Sequence, residues 1–128
     1  FFLWVWVSVI RSDCFQCKFS GYFYLNIDGK KVQSEKDAVQ ILAAGFNIDD
    51  LQDGNWDALA DRLERPDCII PDSINIFINN AKYLFINDEI SKNIFLEILS
   101  DTVLWWDEGV ERYIVGGRRK KFNVYIIE

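Results

Sequence analysis

Apolar positions repeat at helical spacing in three stretches of this chain, and short apolar runs lie before, between and after them. Ala38, Ile41 and Leu42 form the apolar face of a first helix. Ser34 opens it, with Asp37 three residues on as in a capping box, and Gly45 closes it. Trp56, Leu59, Ala60 and Leu63 fall at i, i+3, i+4 and i+7, the spacing of one buried stripe, so residues 56 to about 64 read as a short second helix. Asn55 is a good N-cap for it, because its side-chain oxygen can accept from a free backbone N–H of the first turn, and Pro66 supplies the stop. Phe95, Leu99, Thr102 and Trp106 follow at i, i+4, i+7 and i+11 and predict a long amphipathic helix over residues 89 to about 107, with Glu97, Asp101 and Glu108 on its other side.

The runs between these helices read as strands. Ile74, Asn75, Ile76, Phe77 and Ile78 alternate poorly, as a strand buried on both faces does. A first strand near residues 21–27 and a last one over 122–127 complete the set. Strands separated by helices imply parallel pairing with right-handed crossovers. The expected fold class is therefore α/β, with a three-stranded parallel β-sheet core covered by helices. The expected division is an N-terminal β extension over residues 1–21 and one domain over 22–128. In the extension, Trp4, Val5, Trp6, Val7, Val9 and Ile10 favour an extra strand over a helix. Its partner is either the strand near 21–27 across a hairpin or another sheet edge. The first ten residues, nine of them apolar, are about half of the roughly 20 that cross a bilayer, and no basic leader precedes them, so no membrane role is expected.

Charge changes the picture most. The 24 residues 49–72 hold eight acids (Asp49, Asp50, Asp53, Asp57, Asp61, Glu64, Asp67, Asp72) against Arg62 and Arg65, and that excess equals the net charge of the whole chain, -6. The acidity is a patch. Such a patch attracts a basic partner, speeds encounter and repels nucleic acid. On the second helix, Asp57, Asp61 and Glu64 stand opposite the apolar stripe at i, i+4 and i+7. Spacing leaves two readings of Asp61: a structural pair with Arg65 at i+4, or a carboxylate presented to a partner.

The segment Asp53, Gly54, Asn55, Trp56, Asp57, Ala58, Leu59, Ala60, Asp61 resembles the signature of the barstar family, intracellular inhibitors of secreted bacterial ribonucleases. The turn Asn26, Ile27, Asp28, Gly29, the Ser34-capped helix and the order of later elements resemble the same family over about residues 22 to 128. The resemblance implies an inhibitor or immunity protein, not an enzyme, that needs no cofactor. It also implies a cytoplasmic monomer that forms a heterodimer with a basic, barnase-like nuclease toxin. In such proteins acids of the second helix stand in for RNA phosphates. Carried over residue by residue, Asp61 is the central anchor and Asp57 the second mimic, flanked by Asn55 and Leu51, with Glu64 and Arg65 at the helix end and Asp101 as a further acid. Two positions depart from the pattern: Ala60 replaces an aromatic before the second Asp, and Leu51 replaces a loop Tyr that covers the cleft.

Other chemistry is weakly represented. There is no His, which removes the commonest general base and metal ligand, and three cysteines cannot complete a zinc site. Their odd number makes no disulfide framework and fits a reducing cytoplasm. Cys14 and Cys17 have redox spacing, so a small thiol protein is one alternative, but no helix comes after them to activate a thiolate. A barstar-like scaffold with a non-ribonuclease partner is another. Asp57 and Asp61 lack the apolar cleft that a glycosidase acid needs. Arg118, Arg119, Lys120 and Lys121 make a poor nucleic-acid footprint on an acidic chain and read as a solvated turn.

Overall fold

The computed structural model describes residues 21–128. The expected N-terminal strand and the pair Cys14 and Cys17 lie outside the described residues. In chain order come β1 (Tyr22–Asp28), α1 (Glu35–Gly45), α2 (Trp56–Leu63), β2 (Ser73–Asn79), α3 (Glu89–Leu104) and β3 (Lys121–Ile126). The three strands form one parallel sheet in the order β1-β2-β3. This is the α/β architecture expected from the alternation of runs and helices.

Register explains which residues make the core. Ile74, Ile76 and Ile78 of β2 align with Phe23, Leu25 and Ile27 on one side and with Phe122, Val124 and Ile126 on the other. The three isoleucines are fully buried and join the core formed with the helices. The alternate face of β2 is closed differently. Phe77 stacks between Tyr125 at 4.8 Å and Tyr24 at 6.4 Å, and the Asn75 side-chain oxygen accepts from Asn123 Nδ2 at 3.3 Å. Residues 73 to 78 are therefore all buried, as the failed alternation predicts.

Helix ends obey local chemistry. Ser34 Oγ accepts from Asp37 N at 3.1 Å, while Asp37 reaches back one residue further than a capping box requires and accepts from Gln33 N at 3.0 Å. The long helix runs past its α-helical end through a π turn (Trp105–Gly109) into one last α turn, Val110–Tyr113. A π turn adds a residue per turn and so rotates the last α turn relative to the body of the helix. Phe95, Leu99, Thr102 and Trp106 are all buried, as their spacing predicts.

Candidate functional site

The second helix is held rigidly from outside itself. Leu59 and Leu63 are fully buried, and Trp56 packs against Phe85 and Phe95 with ring centroids 6.1 Å away in each case. At its start, Asn55 Oδ1 accepts from Ala58 N at 2.9 Å, and Glu35 of α1 accepts from Trp56 N at 2.7 Å. At its end, the buried Trp106 indole donates to Leu63 O at 2.8 Å. Two donors and one carbonyl left over by a helix are thus satisfied, two of these three by other helices. The turn before the helix is equally constrained. A side chain at Gly54 would press on Leu51 O and Ala58 Cβ, both 3.0 Å from where its Cβ would stand.

This fixed helix turns Asp57 and Asp61 to solvent. Asp61 lies 2.9 Å from Arg62 and 3.7 Å from Arg65, so the expected i, i+4 pair exists but is the longer contact. Arg62 also binds Asp50 at 2.8 Å, bridging the turn before the helix to the helix itself. Hydrogen bonding to Arg62 holds the Asp50 carboxyl below its usual range, and the same bond raises Arg62. Arg65 bonds Asp67 at 3.2 and 3.1 Å, which lowers Asp67 in the same way. Asp57 makes no ion pair among the described residues.

Glu64, the C-cap, is half-buried, and desolvation first, then the charges of Asp101 and Asp61, push its carboxyl up. Asp101, carried on α3, is exposed. Ala60 is half-buried at the edge of the stripe. Leu51 needs correction. It is fully buried, its turn being folded so that the side chain fills the core under Gly54, and it cannot present itself to a partner. The exposed residue of that turn tied to the site is Asp50. Spacing could not find the Arg62 bridge, because it spans twelve residues, nor Glu35, which acts from 21 residues away.

The described residues thus form an α/β domain that carries on its surface a short acidic helix held at both ends. No group of three or more metal-ligand side chains converges among them, and no helix among them is long and apolar enough to cross a membrane. The chain belongs to the barstar (barnase inhibitor) family, whose model matches residues 22–126. Members are non-enzymatic inhibitors that bind barnase ribonuclease. Neither a curated protein nor a solved structure matches the chain.

Proposed function

We propose that this protein inhibits a barnase-like ribonuclease by seating the exposed face of α2 in the active-site cleft, with Asp61 as central anchor and Asp57 beside it in place of RNA phosphates. The observation that carries the reading is the coincidence of charge and fixed position. Asp57 and Asp61 project from a helix pinned at one end by Glu35 and at the other by Trp106. A nuclease grips phosphate with cationic side chains, and charge-assisted hydrogen bonds to a preorganised carboxylate are among the stronger polar contacts. Preorganisation lowers the ordering cost of association. Asn55, Ala60, Glu64 and Arg65 border the anchor, and Asp101 adds a carboxylate from α3. The partner's cations compete with Arg62 for Asp61, so the net gain is a difference between two ion-pair sets.

The inhibitory unit runs from residue 22, and residues 1–21 are an extension to it. The protein is a cytoplasmic monomer that forms a one-to-one complex with an interface on the order of 1,600 Å². A thiol such as Cys68 stays reduced in that compartment. The test is titration of barnase with this protein while RNA cleavage is monitored. Cleavage should fall linearly and vanish at one equivalent. Full activity at a large excess would overturn the reading.

A further inference from the structure

We propose that a groove beside the acidic helix is a second docking surface for the same ribonuclease, and that it receives a lysine or arginine side chain of that partner. The inference rests on the inhibitor reading and extends it beyond α2. The groove encloses about 640 Å³ between the end of α1, the turn 49–51 and the stretch 65–71. Its floor is apolar: Phe23 and Phe46 stack with centroids 4.8 Å apart, and Ile48 lies beside them. Ile70, also in its wall, is 68% exposed, unusual for an isoleucine with an apolar surface next to it.

The charged lining selects the occupant. Arg62 is committed to Asp50 and Asp61, and Arg65 to Asp67 and Asp61. Both guanidiniums already face carboxylates, and the groove's three carboxylates, Asp49, Asp50 and Asp67, outnumber its two guanidiniums. Asp49 is exposed and makes no ion pair among the described residues. An unmatched carboxylate above an apolar floor fits a long basic side chain, whose stem covers apolar surface while its head stays at the wet rim. The groove and the helix face are continuous, because both groove guanidiniums contact the Asp61 carboxylate. A partner seated on Asp61 therefore lies against the groove wall. Such an anchor offsets the missing aromatics at Ala60 and Leu51.

Barnase inhibition by the full chain tests this with two substitutions that change net charge equally, Asp49→Lys inside the groove and Glu111→Lys on the far end of the long helix. Asp49→Lys should raise the inhibition constant about tenfold or more, and Glu111→Lys by about threefold at most, since it removes only long-range attraction. Thermal midpoints report that both variants fold. Equal changes for the two would overturn the groove. Asp61→Ala in the same assay separates the causes: if it weakens inhibition while Asp49→Lys behaves as Glu111→Lys, the helix reading stands and the groove falls. If Asp61→Ala has no effect, the reading beneath the proposal fails. Cys68 lines the groove and supplies a second readout. In a Cys14→Ser, Cys17→Ser background its alkylation should slow several-fold in the barnase complex, and an unchanged rate would count against the proposal.

Discussion

Replacing Asp61 by alanine separates a binding residue from a structural one. In the free protein Asp61 is exposed and contacts Arg62 at 2.9 Å and Arg65 at 3.7 Å. Both arginines keep another carboxylate, Asp50 or Asp67, so neither is stranded by the change. Removing Asp61 also relieves its like-charge spacing with Asp57, worth a few tenths of a kcal/mol. Alanine favours a helix interior over aspartate by up to about 0.7 kcal/mol. Stability should therefore stay within about 0.5 kcal/mol of wild type or rise slightly. In the complex the same carboxylate is desolvated against cations, and truncating one member of such a pair costs about 2–5 kcal/mol. That range corresponds to a rise of roughly 30-fold to 5,000-fold in the inhibition constant. Thermal unfolding and inhibition of barnase, measured on the same preparations, decide the matter. Equal inhibition by wild type and variant would refute the assignment, and a clear fall in midpoint with unchanged inhibition would make Asp61 a structural residue.

Association should be fast and salt-sensitive, because steering by the acidic patch fades as the Debye length falls below about 10 Å above 0.1 M salt. Stopped-flow association rates should drop steeply with salt while dissociation changes little. Glu64 should make stability pH-dependent in a particular direction. Its carboxyl is raised in the folded state, so its contribution is fully present below the unfolded pKa and is lost as pH rises through the folded one. Glu64→Gln should therefore unfold at higher denaturant than wild type at pH 7, and the gap should close as pH falls below about 4. Asp50 and Asp67 are lowered instead, so their contribution is lost as pH falls through their folded values. Trp106→Phe should cost about 2–4 kcal/mol, combining lost volume with an unsatisfied Leu63 carbonyl, and denaturant titration should show it.

Periodicity made α1, α2 and the body of the long helix legible, because each buries one stripe in the common core and local spacing carries that information. The caps at Ser34 and Asn55 were legible for the same local reason. The π turn was not, since Trp106 meets the core at a spacing that an uninterrupted α-helix would also satisfy. Asp57 and Asp61 were readable as exposed acids of α2 from their i, i+4 spacing, whereas Glu64, expected on the same side, caps the helix end and is half-buried. Leu51 shows the limit of position-by-position transfer: an apolar residue in a short turn beside Gly54 is drawn into the core, whatever an aromatic does there. The bridge from Asp50 through Arg62 to Asp61 depends on how the turn folds back on the helix. Sequence spacing holds no record of that contact.

If the exposed side of α2 is what the ribonuclease covers, the backbone of that helix must sense the partner before any other element does. Backbone amide chemical shifts of the isotopically labelled protein, recorded as barnase is added to one equivalent, report this residue by residue. The largest changes should fall at Asn55, Asp57, Ala60, Asp61 and Glu64, with smaller ones at Asp49, Asp50 and Asp101, and saturation at equal concentrations. Changes centred on β1 and β3, with α2 unmoved, would contradict the proposed mode of inhibition.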